Sequence, residues 1–577
     1  PLSSGANRQP GDTPLYSVPT DLAQRYVDDR HVYFTSSMQV VSQMTQSNGL
    51  GDNVNTTRYS YSEAMYNTQG RGFQGFRKII EEDMTGGLRT TTTFSQKYPL
   101  TSMVEKVIVN PISRPGETSP ISQTTTAWRC NRLNLNDTAA CNITPGTNPV
   151  RFVFQAATEN VSFDLNTAMA GLPDKITGYN ADYFTDTTAC DGGTISTVSG
   201  YDAYGNLTAK THFVSDFGDG TVGYKNYIAL ACNRTRNTFA TADTTNWWLD
   251  KLTNSETRNE ILHGADQPLP SGASNPVYIT NTAYTWNTNR TLASETFQNG
   301  IANQQKLTAY TYPVSNNYGL PLSVTVTASG DQNAGGRTTS TTYSTDGYFP
   351  LSVTNALGHT ATTVVRLRDG LPISVTDPNG LRSITTYDAF SQAVLVKARG
   401  ALDSQYLAPD KQVAATWCTV TNGNNSCGLS DAAYQLTSVQ DGSPTSVSTH
   451  DKLGRVLRTQ SKLLDGTLSY SDTQYNDKGQ TTRQSLPYRS GDTPLWSTFT
   501  SYDSLGRLTG KTTPQQHPVR GDMVTTYTYT GRSTAIHVCG DLDLDNTGCL
   551  DLSRTTDSTG RYVETTDALG GVTKFWF

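Results

Sequence analysis

The chain alternates short stretches of aromatic, Thr and aliphatic residues with tight clusters of Asp, Asn and Gly. Between residues 499 and 512, Phe499, Ser501 and Tyr502 run into Asp503-Ser504-Leu505-Gly506, and Leu508-Thr509-Gly510-Lys511-Thr512 then resumes a polar strand. An Asp at the first turn position can cap the backbone with its carboxylate. A Gly three residues later supplies the positive φ that closes a tight hairpin. Each such segment predicts a hairpin corner.

The corner recurs. Tyr502-Asp503-Ser504-Leu505-Gly506-Arg507 and His450-Asp451-Lys452-Leu453-Gly454-Arg455 are its clearest copies. Weaker ones are Tyr475-Asn476-Asp477-Lys478-Gly479, Thr556-Asp557-Ser558-Thr559-Gly560-Arg561 and Thr566-Asp567-Ala568-Leu569-Gly570. Asn355-Ala356-Leu357-Gly358 and Thr376-Asp377-Pro378-Asn379-Gly380 fit the series, and Tyr201-Asp202-Ala203-Tyr204-Gly205 is an isolated upstream copy. Tyr387-Asp388-Ala389-Phe390-Ser391 has Ser in place of Gly, which puts its tight turn in doubt. Arg455, Arg507 and Arg561, which follow the glycines, can lie over a neighbouring aromatic or pair with the turn carboxylate. Gly454, Gly479 and Gly506 stand 25 and 27 residues apart, while Gly347 to Gly358 and Gly560 to Gly570 are 11 and 10. About ten residues make one strand and one turn; about twenty make a hairpin unit. A hairpin cannot bury its apolar face alone, so successive hairpins must stack into a continuous sheet that coils. The expected fold is all-β, a spiralling antiparallel sheet of stacked hairpin repeats with no helical domain.

Composition agrees. The 30 Tyr outnumber 17 Phe and 7 Trp together, and only 35% of residues are hydrophobic and 16% charged. Thr and Tyr favour half-buried strands. The net charge is −6 with no run of Lys or Arg, so nothing provides the basic patch that nucleic acid needs. No stretch approaches the ~20 apolar residues of a transmembrane segment, and no signal peptide opens the chain.

Eight cysteines follow in order as Cys130, Cys141, Cys190, Cys232, Cys418, Cys427, Cys539 and Cys549. Three neighbouring pairs enclose polar loops of ten, eight and nine residues, and no C-x-x-C points to zinc. Sequential pairing is the simplest of the 105 connectivities and implies an oxidising compartment; buried free thiols are the alternative.

Candidate chemistry is thin. Gly70-Arg71-Gly72-Phe73-Gln74-Gly75 has the spacing of a dinucleotide loop. It lacks the acidic residue about 20 positions on and any βαβ context, so a sheet turn with Phe73 and Phe76 packed inward is expected. Asp541, Asp543 and Asp545 alternate as in a calcium loop, but Asn546 holds the sixth position and Leu552 the twelfth. They are a weak calcium candidate against a plain solvated loop. Seven scattered His lie in no catalytic motif, and His450 takes the Tyr position of a repeat, which suits packing. No catalytic residue, cofactor or committed metal site is expected.

The ordered corners resemble the Rhs, or YD-repeat, family, which includes bacterial Rhs proteins, the B and C components of insecticidal toxin complexes and, more distantly, the YD shell of teneurins. A second block carries the likeness further: Tyr59-Ser60-Tyr61, Gly70 to Phe76, Thr85-Gly86-Gly87 and Tyr98-Pro99-Leu100. It looks like the segment leading into the repeats of toxin-complex B components, as do Ser215-Asp216-Phe217-Gly218-Asp219 and Trp247-Trp248-Leu249. The resemblance implies part of a hollow shell, non-enzymatic, that encapsulates and helps deliver a toxin or cargo polypeptide, and a secreted, periplasmic or cell-surface location. It implies as partners the remainder of the shell or a companion subunit, and the enclosed polypeptide. Asp377-Pro378-Asn379-Gly380 superficially resembles the family's self-cleavage element, but repeats continue beyond it and Leu381 follows where an aromatic is usual, so no protease residue is carried over. Because the repeat predicts a further corner past Phe577, a larger shell is expected. The corresponding division is an N-terminal β segment (1–58), a pre-repeat region with Cys/Thr/Asn-rich insertions (59–200), a degenerate repeat region (201–340) and the repeat array (341–577). The alternatives are an adhesion or structural protein contacting glycans or partners at a cell surface, and a β-rich carbohydrate-active enzyme.

Overall fold

The computed structural model describes residues 13–18, 26–47, 54–113, 120–131, 152–163, 165, 173–180, 200–217, 227–261, 277–314, 319–330, 335–399, 406–440, 442–515, 521–540, 548–556 and 560–575. Among these every regular element is a strand; there is no helix. From Gln43–Ser47 through Val54–Ser62, Lys78–Asp83, Leu88–Phe94 and Val104–Pro111 to Val572–Lys574, strands pair antiparallel with near neighbours in the chain. The result is one sheet of 36 strands. Among the described residues a single parallel pairing, Tyr16 on Tyr61 and Ser17 on Ser62, adds a short strand at its start. Strands Val54–Ser62 and Arg337–Tyr343 run through residues 58 and 340, so the sheet is continuous at both.

The abundance of Thr and Ser has a physical reason in this sheet. Hydroxyls that stand directly opposite on neighbouring strands satisfy each other. Thr285 and Ser294 (2.6 Å), Thr325 and Thr338 (2.8 Å), Thr354 and Thr360 (2.8 Å) and Ser533 and Thr555 (2.9 Å) are such pairs. Each contributes roughly 0.2–1 kcal/mol relative to Ala pairs.

Among the described residues, four of the eleven buried apolar side chains lie near the start. A second sheet of Tyr26–Asp28, His31–Tyr33, Met65–Asn67 and Gly72–Phe73 lies there. A chain of ring contacts runs from Phe34 through Phe73 and Phe76 to Tyr61, joining this sheet to the main one. Ala64, Met65, Ile108 and Ile121 are buried. Across the described residues, buried polar side chains nevertheless outnumber buried apolar ones, twenty to eleven.

Candidate functional site

The corners form a regular lattice. At Asp503 the N–H bonds to the Arg507 carbonyl (2.9 Å), and the Gly506 N–H takes the Asp503 carbonyl (2.9 Å). Gly506 has φ of 77°, the left-handed region open to Gly, so the turn is a three-residue loop closed by a bulge. Because that carbonyl is already used, the Arg507 N–H has lost its ladder partner. The Asp503 carboxylate replaces it, with Oδ1 accepting from Leu505 and Arg507 N–H groups (both 2.9 Å). Its other oxygen holds the Arg507 guanidinium at 2.6 Å. Asp451 repeats the arrangement with Leu453 and Arg455, fully buried, and Asn476, Asp202 and Asp567 repeat its backbone part. Ser391 at Asp388 closes its turn at φ of 65° without Gly; its hydroxyl donates to Asp369 and accepts from Arg366.

Aromatics tie one corner to the next. Tyr475, Tyr502 and Tyr529 donate their hydroxyls to the carbonyls of Val456, Thr481 and Leu508, each just past an earlier corner (3.0, 2.6 and 2.8 Å). Arg455 lies over the Tyr475 ring and Arg507 over Tyr529, at 4.9 and 4.1 Å. Burial raises the pKa of Tyr475, Tyr502 and Tyr529, so the donors stay protonated. His450, in a Tyr position, stacks on Tyr434 and shares hydrogen bonds with Gly454 O and Ser448 Oγ.

A fork interrupts the array. The first half of Leu468–Tyr475 pairs with Tyr488–Arg489 and the second half with Thr481–Ser485. At the split, the Asp472 N–H is accepted by Ser485 Oγ (2.8 Å), and the buried Asp472 carboxylate takes a bidentate Arg458 (2.6 and 2.7 Å) and the Tyr488 hydroxyl (2.8 Å). The sequence reading missed these residues; Leu486-Pro487, which cannot continue a ladder, was the available signal. Beside the fork opens a recess of about 480 Å³ lined by Val413, Leu436, Ser448, Thr459, Tyr470 and Pro487 among others. Half its lining is Ser or Thr, and Lys411 is its one charged residue. No acid–base pair or activated nucleophile lines it.

In the N-terminal block a polar cluster ties the small sheet to the turn that follows Leu88–Phe94. His31 bonds to Asp28 (2.7 Å) and Asn67 (3.1 Å), and Lys97 to Asp28 (2.7 Å). Burial pushes the Asp28 carboxyl up, but Lys97, the Arg30 N–H and His31 outweigh it and hold the carboxyl well below the usual range. The Gly70–Gly75 segment is a sheet turn with no helix after it. Phe76 packs against Tyr16, Tyr61 and Phe73, but Phe73 itself stays 43% exposed instead of turning inward, because its strand is the outer one of the small sheet.

Disulfides join Cys418 to Cys427 and Cys539 to Cys549. Cys130 and Cys232 are also disulfide-bonded. Cys141 and Cys190, the calcium candidates Asp541, Asp543 and Asp545, and Asp557 lie outside the described residues, although Gly560 beside Arg561 has φ of 88°. Among the described residues, His537, Cys539 and Cys549 form a group with metal-ligand atoms within 4.8 Å of one another.

Fold and corner lattice together define a class: all-β proteins built as one long antiparallel sheet of stacked hairpins. Residues 23–107 match the family described as the insecticide toxin TcdB middle/N-terminal region. Solved structures of similar fold include TcdB2-TccC3 (TM-score 0.58, 12% identity, 91% of this chain and 34% of that one). TcdB2-TccC3 without its hypervariable C-terminal region is comparable (0.57, 10%, 89% and 34%). So is a Tc holotoxin pore of Photorhabdus luminescens (0.54, 10%, 89% and 36%). The chain spans about a third of the length of these structures. No curated protein sequence matches it. The likeness to insecticidal toxin complexes is thus supported in sequence over 23–107 and in fold over most of the chain.

Proposed function

We propose that the chain is a section of an Rhs/YD-repeat shell, secreted with its toxin complex, that encloses and helps deliver a toxin or other cargo polypeptide without acting as an enzyme. The observation that carries this reading is the fold likeness to TcdB2-TccC3 over about nine-tenths of the chain. The continuous sheet favours it, because a wall can be built from one long sheet of strands laid edge to edge. The partners would be the rest of the shell, or a companion subunit, and the enclosed polypeptide. The test is to co-produce the chain with its companion shell subunit carrying a C-terminal reporter polypeptide, and to treat the complex with trypsin. The reporter should survive in the complex and be digested once the complex is dissociated; digestion at equal rates in both would refute enclosure.

A second reading, surface adhesion, draws on exposed aromatics at corner tips, in a loop and at a strand end: Trp247, Tyr348, Phe390 and Trp417. Glycan binding by the intact chain, abolished by replacing these rings with Ala, would favour it over enclosure.

A further inference from the structure

We propose that the hairpin formed by Ser533–Cys539 and Cys549–Thr556 becomes, once its disulfide is reduced, a binding site for one zinc-class divalent cation on Cys539, Cys549 and His537, with Asp551 orienting the imidazole. The register places the four side chains as a square on one face of the hairpin: His537 stands opposite Asp551, and Cys539 opposite Cys549. His537 and Cys539 are two apart, as are Cys549 and Asp551, so the strand period points all four the same way. The ligand atoms of His537, Cys539 and Cys549 lie within 4.8 Å of one another. A tetrahedral zinc with Zn–S near ~2.3 Å and Zn–N near ~2.0 Å sets its donors about 3.5–3.8 Å apart, so side-chain rotation alone reaches the required spacing.

The imidazole is already arranged for the task. Its Nδ1 bonds to Asp551 Oδ1 at 2.6 Å and its Nε2 points at Cys539 Sγ, 2.9 Å away. A carboxylate on one ring nitrogen with the other facing the ligand cluster is the carboxylate–histidine–metal arrangement that fixes tautomer and ring orientation. Cys549 and His537 are exposed and Cys539 is partly so, which leaves the bond open to a reductant and a fourth coordination position open to water. The other described hairpin disulfide, Cys418–Cys427, gathers no such group and serves as an internal contrast.

The step balances with a dithiol as reductant. It delivers two electrons and two protons to the Cys539–Cys549 bond and leaves as its own disulfide; the cation then displaces both thiol protons to solvent. The seven cross-strand pairs of the hairpin hold the four positions together after the bond is cut.

The test uses cobalt(II) as the probe on the full chain, since thiolate ligation gives it a near-ultraviolet charge-transfer band. The oxidised chain should show no band. The dithiol-reduced chain, freed of reductant, should take up one cobalt at this hairpin, the band vanishing in the Cys539→Ser/Cys549→Ser chain and persisting in Cys418→Ser/Cys427→Ser. Asp551→Asn should weaken binding about 10-fold and His537→Ala more, with far-UV circular dichroism unchanged at these exposed positions. No band after reduction, a band that survives loss of Cys539 and Cys549, or affinity indifferent to both His537→Ala and Asp551→Asn would each overturn the proposal. Zinc protection of the Cys539 and Cys549 thiols from alkylation, read by peptide mass spectrometry, reports the same site without cobalt. Alkylation at the same rate with and without zinc would also overturn it.

Discussion

The block from 26 to 113 and the array from 341 onward solve the same problem with different forces. The first joins a small sheet to the large one through a chain of aromatic rings and buries Ala64, Met65 and Ile108. In the second, every described strand but the small hairpin Val420–Thr421/Asn424–Asn425 belongs to the one long sheet. It ties each hairpin to the next with a carboxylate that replaces a missing ladder bond, a guanidinium over a ring, and a tyrosine hydroxyl on a carbonyl. A hydrophobic core is shared by everything around it, so the block should open as a unit. A corner belongs to two or three strands, so the array should behave as a quasi-one-dimensional chain of nearest-neighbour couplings. A wall built this way can lengthen by repetition without needing a larger core.

The contrast can be broken most forcefully at Asp451. Its carboxylate is fully buried and holds Leu453, Arg455 N–H and the Arg455 side chain. Asp451→Ala should cost about 3–5 kcal/mol locally, because it breaks a buried ion pair and takes the acceptor from two backbone N–H groups. Hydrogen exchange should quicken over 434–475 and hardly elsewhere.

Ile108→Ala should follow at about 2–4 kcal/mol, through lost burial and the cavity left behind. There the loss should spread through the strands of 54–113 and the small sheet together, read as a shared fall in amide protection.

Tyr502→Phe removes one hydroxyl donor and keeps the ring. It should cost about 1 kcal/mol, and a local proteolysis assay should place the weakening between the corners at 476 and 503.

The smallest effect expected is an acid one at Asp28. Its carboxyl is depressed when folded, so its stabilisation is complete above the unfolded value near ~4 and is lost as pH falls below that toward the folded one. Thermal unfolding of the N-terminal block followed from pH 5 to 2.5 should decline less steeply in Asp28→Asn than in the natural chain.

The strand-and-corner alternation was legible because it is local: Asp, Gly and the aromatic before them act within five residues of one another. The all-β class followed from that and from the Thr- and Tyr-rich composition. The fork at Leu468–Tyr475 was not legible, since one strand changes partner midway and only Pro487 hints at it. The Arg458–Asp472–Tyr488 cluster is hidden for the same reason, its members lying 14 to 30 residues apart in the chain. His537 and Asp551 were invisible as a pair because their closeness depends on the register of a hairpin whose connecting loop gives no register signal. The tight turn doubted at Ser391 does form, paid for by two side-chain hydrogen bonds that no local rule foresees.

The central claim is that corners hold the array as the core holds the N-terminal block. Its most direct test is native-state hydrogen exchange on three versions of the whole chain: natural, Asp451→Ala and Ile108→Ala. The account predicts two separate footprints, one confined to 434–475 and one spread through 54–113 and the small sheet. A single footprint common to both variants, or Asp451→Ala protection equal to the natural chain, would contradict it.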